Sequence, residues 1–276
     1  MNIKIVTDSC CDLPKDMLNQ VEIVPLTISI DGKHYKDGVD LSRDEFYTRL
    51  AGCKNLPGTA SPSPGDFLEK FDGAGKVFIV TISSNLSSTF NTAVIAKDLY
   101  CEQFSDRLVY IFDSLNASVG QGLVVLKLRE LIQKNLTDAK IVQSLLEYIK
   151  GIKTFFVLEN IENLVNSGRV NRILGKIISV LNIKFIMGNT PEGEIELFEK
   201  VRGSHRVFNK LLDLICKHGS NFEDKILGIA HGNCLQKAKQ FKEEVEKRYN
   251  FKEIIITQIG PTIAAYASEG ALLISF

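Results

Sequence analysis

The sequence predicts an α/β protein of two packed domains, an N-terminal one (residues 1–152) built mainly on a parallel sheet with flanking helices and a C-terminal α+β one (153–276), with a ligand cavity at their junction. Three observations carry this. Short β-branched apolar runs alternate with helical segments through the first half, as a parallel sheet requires. Asn182–Met187 and Glu194–Phe198, joined through Gly188-Asn189-Thr190-Pro191-Glu192-Gly193, form a hairpin in the second half. No Gly/Ser linker separates the halves, so they share a cleft.

Ile3–Thr7 is the opening strand, followed by Asp8-Ser9-Cys10-Cys11-Asp12 and a short helix from Pro14. Asp8 could serve as an acid/base group or a metal ligand, but capping or ordering the loop is the favoured role. Val21–Val24 and Leu26–Ile30 are strands, and Asp31-Gly32 marks a hairpin turn. Ser42 and Glu45 form a capping box for helix Arg43–Leu50. Thr59-Ala60-Ser61-Pro62 is an extended loop bearing hydroxyls, and Ser63-Pro64 starts the next helix. Lys76–Thr81 is a buried strand. It runs into Ile82-Ser83-Ser84-Asn85-Leu86-Ser87-Ser88-Thr89, a hydroxyl-dense loop that opens helix Phe90–Tyr100. Ligands in α/β sheets bind beyond the carboxyl ends of strands, and helix starts offer N–H groups to anions. The same loop is equally readable as a Ser-rich helix cap.

Arg107–Phe112 is a strand ending in Asp113-Ser114. Leu123–Ile132 is apolar on nearly all sides, so it is a buried helix or the lining of an apolar cavity, with core the favoured reading. Thr137–Lys150 is a helix and Thr154–Leu158 a strand. Asn160–Asn166 is a short helix, Ser167-Gly168-Arg169 a break, and Val170–Leu181 helical. Helix Ser204–Lys217, strand Lys225–Ala230, helix Asn233–Arg248 capped by Asn233, strand Glu253–Thr257, turn Ile259–Thr262 and strand Ala271–Ile274 complete the chain.

Zero formal net charge gives no pointer to nucleic acid, and no apolar run reaches the roughly 18 residues of a membrane span. With no signal-peptide pattern, the expected location is cytoplasmic. The six cysteines lack metal-ligand spacing and are read as reduced thiols. Nucleotide-binding, zinc-protease and nucleophile-elbow motifs are missing. His231 follows a strand and could sit near the cleft, although a lone histidine is more often structural.

Taken in order, the motifs resemble the DegV family, which includes the acyl-binding subunits of bacterial fatty acid kinase. The matching pieces are Val6-Thr7-Asp8-Ser9, Asp12-Leu13-Pro14, Val24-Pro25-Leu26 and Tyr35 with Asp37-Gly38. They continue with Thr59, Pro62-Ser63, Ile82-Ser83-Ser84, Leu86-Ser87 with Thr89, and Asp113-Ser114. Gly168-Arg169-Val170, Leu181-Asn182-Ile183-Lys184, Lys200-Val201-Arg202 and Ile259-Gly260-Pro261 complete them. The resemblance implies a non-catalytic carrier with no cofactor. It would hold a long-chain fatty acid such as palmitate in an apolar tunnel and present it to a partner kinase, which phosphorylates the carboxylate using ATP.

The carboxylate-holding hydroxyls of the family fall on Thr59 and Ser87, and its arginine on Arg169; Ser61, Ser88 and Tyr266 complete the expected site. Three positions depart from the family pattern. Thr-Ser-Gln-Pro reads Thr59-Ala60-Ser61-Pro62, and Leu-Ser-Gly-Thr reads Leu86-Ser87-Ser88-Thr89. The stretch His-Thr-Gly-Pro-Gly reads Tyr266-Ala267-Ser268-Glu269-Gly270, so a phenol replaces an imidazole and Glu269 brings a carboxylate near the mouth. Two alternatives stand beside the fatty-acid reading: a carrier of a less acidic lipid, and a phosphoryl- or acyl-transfer enzyme using Asp8, Asp113 and the Ser/Thr loop.

Overall fold

The computed structural model describes residues 2–170, 183–203 and 205–276. Apolar, β-branched runs form β1 (Ile3–Asp8), β2 (Val21–Val24), β6 (Lys76–Thr81) and β7 (Leu108–Asp113). These four pair in parallel in the order β2-β1-β6-β7. Helices Pro64–Phe71 and Thr89–Gln103 cover one face through Phe67, Phe71, Ala93 and Ala96. A second, mixed sheet of six strands holds β8 (Thr154–Val157), β9 (Ile183–Asn189), β10 (Ile195–Arg202), β11 (Ile226–His231), β12 (Glu253–Gln258) and β13 (Leu272–Ser275), ordered β10-β9-β8-β13-β11-β12.

The third sheet is small: β3 (Thr27–Ile30) pairs antiparallel with β4 (Lys33–Lys36) and β5 (Gly58–Ala60). Asp31 and Gly32 join β3 to β4 with φ of 46° and 80°, the left-handed pair that a two-residue hairpin needs. The extended loop expected at Thr59-Ala60 is therefore in part a strand. Three residues between prolines carry too little pattern to announce it, and β3 supplies the hydrogen bonds. The expected capping box of Ser42 with Glu45 forms, and Ser63, read as the start of the next helix, makes a second one with Asp66.

Helix Ser118–Gln133 explains its own apolarity. It packs on β1 and β6 of the first sheet and on β11 and β13 of the second, so it has almost no solvent face. Val119 presses against Gly228 of β11, where a Cβ would come within 2.3 Å of Val119 Cγ2. The expected helix Val170–Leu181 lies outside the described residues except for Val170, which bridges Ile195. Asn233 does not cap the following helix. The helix spans Leu235–Glu246, Cys234 occupies its cap position, and Asn233 turns left-handed (φ 49°) to bond Glu269.

Two buried carboxylates tie the sheets together. Asp12 Oδ1 accepts the Gly260 N–H at 2.7 Å, and its Oδ2 accepts the Ser118 hydroxyl at 2.6 Å. Asp37 Oδ2 accepts both the N–H (3.0 Å) and the hydroxyl (2.5 Å) of Thr262. Only glycine fits at 260, since a Cβ would meet Asp12 Oδ1 at 2.8 Å. Burial pushes the Asp12 carboxyl up to about 6, opposed by the Arg43 guanidinium 3.7 Å away. A carboxyl raised in the folded state contributes stability that is full below its ordinary range and fades as pH rises through about 6. Wild type should therefore lose stability relative to Asp12→Asn between pH 4 and pH 7, in denaturant titrations across that range. The opposite trend would show that Asp12 is held charged.

Candidate functional site

A cavity of about 110 Å³ lies between the loops at the carboxyl end of the first sheet and the inner face of the second. Its walls are mostly apolar: Leu26, Ile82, Leu86, Phe156, Leu158 and Leu273 among them. Thr59, Ser87, Arg169 and Tyr266 all line it. Ser61 and Ser88 stand behind Ser87, outside the lining, and are bonded to one another.

The loop after β6 is fixed from both sheets. Ser84 N–H donates to the Asp113 carboxylate at 3.2 Å and Ser83 N–H to Asn116 O at 2.8 Å. From the second sheet, Ser83 Oγ donates to Gly193 O (2.8 Å) and Asn85 Nδ2 to Glu192 O (2.7 Å). Leu86 and Ser87 then donate their N–H groups back to Ser83 O, a tight turn that aims Ser87 inward. The hydroxyls expected to cap the next helix are used elsewhere. Ser88 occupies the cap position of helix Thr89–Gln103 without a side-chain cap bond. Its hydroxyl pairs with Ser61 Oγ (2.7 Å), which also reaches Ser87 Oγ (3.1 Å). Ser87 Oγ in turn meets Thr89 Oγ1 (2.8 Å). The Ser/Thr loop is thus a relay of hydroxyls linked across two segments.

Tyr266 comes from helix Pro261–Ala267, the element whose start is gripped by Asp12 and Asp37. Its hydroxyl shares a 2.5 Å hydrogen bond with Thr59 Oγ1, contributed by β5. The Arg169 guanidinium lies over the Tyr266 ring, 5.3 Å from its centroid, a cation–π contact. Arg169 is positioned by Nε to Leu86 O (3.3 Å) and Nη1 to Ser167 O (2.9 Å). It is the cation among the described lining residues, and Glu194 is the carboxylate. Glu269, expected near the mouth, is instead exposed and bonded by Asn233 Nδ2 at 2.9 Å.

The other chemistry-bearing residues have structural work. Asp8 is wholly buried and accepts the N–H of Cys10 (3.0 Å) and of Ile82 (2.8 Å). Burial raises its carboxyl and the Ile82 N–H draws it back down. Asp113 accepts the Ser84 and Leu115 N–H groups. Both therefore order the loops that frame the cavity. His231 is buried away from the lining, its Nδ1 accepting the Cys234 N–H at 3.2 Å; burial, then Arg43, holds its protonation below the ordinary range. Asn116, Thr154, Asn189 and Thr262 also line the cavity without having been singled out from the sequence. They lie far apart in the chain, and only the fold brings them together.

The fold is shared with known proteins. A DegV domain-containing protein of Streptococcus gordonii is 33% identical over 280 residues, covering 100% of this chain and 99% of its own. A solved DegV family protein from Ruminococcus gnavus, refined with vaccenic acid, matches with a TM-score of 0.93 at 32% identity over 99% of each chain. The Streptococcus pneumoniae fatty acid kinase (Fak) B3 protein, loaded with linoleic acid, matches with a TM-score of 0.91 at 31% identity, covering 100% of this chain and 99% of that one. The sequence profile described as an uncharacterised DegV family spans residues 2–276, and the chain belongs to the DegV family.

Proposed function

We propose that this protein is a non-catalytic carrier that binds a long-chain fatty acid in the cavity, with the carboxylate at the end carrying Thr59, Ser87, Arg169 and Tyr266. The observation that carries the reading is the juxtaposition of hydroxyls and a guanidinium on the wall of an otherwise apolar cavity. A carboxylate is an acceptor-only group and takes hydroxyl and guanidinium donors, whose charge-assisted bonds are roughly twice as strong as neutral ones. Apolar walls stabilise the acyl chain by about 0.8 kcal/mol per buried methylene. The relatives refined with vaccenic and linoleic acid support the ligand class.

In this proposal the two lobes, 1–152 and 153–276, close on the ligand together. Ser61 and Ser88 act behind Ser87 by fixing its hydroxyl. The Fak B3 likeness supports a partner kinase that receives the bound acid. A carrier is favoured over an enzyme because Asp8 and Asp113 already accept backbone N–H groups and neither lines the cavity. No helix among the described residues is long and apolar enough to cross a membrane, which fits a carrier that works in the cytoplasm. Native mass spectrometry of the purified protein followed by lipid extraction tests the ligand. A co-purifying fatty acid supports the reading, and a neutral lipid overturns it.

Thr59→Ala with Ser87→Ala should weaken fatty-acid affinity while the melting temperature changes little, because both residues are partly exposed. Each hydrogen bond lost to a charged group costs about 1.5–3 kcal/mol. Unchanged affinity in calorimetric titration would place the carboxylate elsewhere.

Tyr266→His should tighten acid binding as pH falls through the histidine range, because a protonated imidazole adds a charge to the same wall. The matching fatty alcohol should show no such pH dependence. Titrations with both ligands at pH 5.5 and 8 check this, and equal acid affinities for variant and wild type at both values would remove Tyr266 from the head-group site.

A further inference from the structure

The cavity is polar in two places. Thr154 and Phe156 of β8 and Leu158 just beyond its end alternate, and all line it. Four residues of strand span about 13 Å, so these side chains mark a direction along the cavity. Leu158 packs in one cluster with Leu164, Ala267 and Tyr266, at the proposed head-group end. Thr154 starts this run at its other end, hydrogen-bonded to Asn116 and Asn189.

This inner end is built. Asn116 is 2% exposed and Thr154 6%. Thr154 Oγ1 donates to Asn116 Oδ1 at 2.6 Å, so the 2.7 Å contact with Ser275 Oγ must have Ser275 as donor. Asn116 Nδ2 donates to Ser114 O at 3.0 Å, which fixes the amide orientation. Asn189 Oδ1 accepts the Thr154 N–H at 2.9 Å, and its Nδ2 reaches Leu115 O only at 3.5 Å. Gly120 clears the space: a Cβ there would meet Asn116 Oδ1 at 2.7 Å, Thr154 Oγ1 at 2.9 Å and Ser275 Oγ at 3.0 Å. An amide carries two N–H donors and a hydroxyl oxygen accepts twice. Among the described residues, Asn116 Nδ2 donates once, Asn189 Nδ2 makes one long contact, and Thr154 Oγ1 accepts once.

We propose that Asn116, Thr154 and Asn189 form a second polar subsite that selects acyl chains carrying an oxygen function, a hydroxyl above all, on their outer half. The inference rests on the fatty-acid reading above. A plain alkyl end pressed into this pocket excludes water from amide donors and gives them nothing in return, which costs binding. A hydroxyl both donates and accepts, so it answers the Asn amides and the Thr154 oxygen together.

The test is calorimetric titration of delipidated protein with hexadecanoic acid and a set of its monohydroxy analogues, the hydroxyl stepped along the outer half of the chain. At least one hydroxy acid should bind roughly three- to tenfold tighter than the parent, the worth of one net hydrogen bond. In Thr154→Val and in Asn189→Leu that ratio should fall toward one. Asn116→Leu is the less informative variant, because Asn116 also anchors Ser114 and Thr154. If every hydroxy acid binds wild type no tighter than the parent acid, the subsite is overturned while the fatty-acid reading stands. If no acid binds at all, the fatty-acid reading falls and takes the subsite with it.

Discussion

The grip of two buried carboxylates on one short helix start holds the rest of the site in place. Asp12 and Asp37 come from loops of the first half of the chain, 248 and 225 residues from the groups they hold. Their partners, the Gly260 and Thr262 N–H groups, belong to a helix start that would otherwise leave donors unpaired in the interior. Removing a carboxylate from water is expensive, and each one is satisfied by at least two hydrogen bonds. The arrangement also fixes where helix Pro261–Ala267 points. Tyr266 is set by it, and with Tyr266 come the Thr59 contact and the seat of the Arg169 guanidinium. A shift of that helix would separate all three.

A second constraint acts through the Ser83–Ser88 loop. Asp113 and Asn116 hold it from the first sheet, and the turn at Glu192–Gly193 holds it from the second. The loop is therefore shared property of both sheets, like helix Ser118–Gln133 beneath it. The lining residues Leu86 and Ser87 on this loop are fixed only when the sheets are docked, which is why the cavity forms at their junction.

Much of this was legible in the sequence, and the limits have physical causes. β6, β8 and β11 were readable because strands buried along almost their whole length are nearly continuous apolar runs. The Ser42–Glu45 capping box was readable because its chemistry is local, three residues apart. Strand β5 was hidden because its pairing partner supplies the order that its own three residues lack. Asn233 carried a cap residue's identity but spends its side chain on Glu269, a partner 36 residues away. Ser88 likewise sits at a cap position and spends its hydroxyl on Ser61. Thr59, Ser87 and Arg169 could be named only through resemblance to a family. Their meeting with Tyr266, 207 residues from Thr59, is a product of the sheet topology and has no local signal. Asn116, Thr154 and Asn189 left none either, since they lie far apart in the chain and meet only in the fold.

The pairing of Thr59 with Tyr266 bears on which head group this wall prefers. Two hydroxyls bonded to each other satisfy one proton internally and leave the other to be directed outward. An acceptor-only group entering between them can take both protons, so the internal bond is exchanged for two charge-assisted ones. An alcohol brings a proton of its own and needs one of the hydroxyls to accept it, which returns less for the same exchange. Arg169 adds a fixed positive charge to the acceptor's side of this balance, and the nearby phenol ring keeps that charge in place without neutralising it. Glu269, which would have opposed an anion, is drawn outward to Asn233. In the proposed site the wall therefore favours an anion through its hydroxyl donors and one guanidinium, with Tyr266 serving as one of the donors.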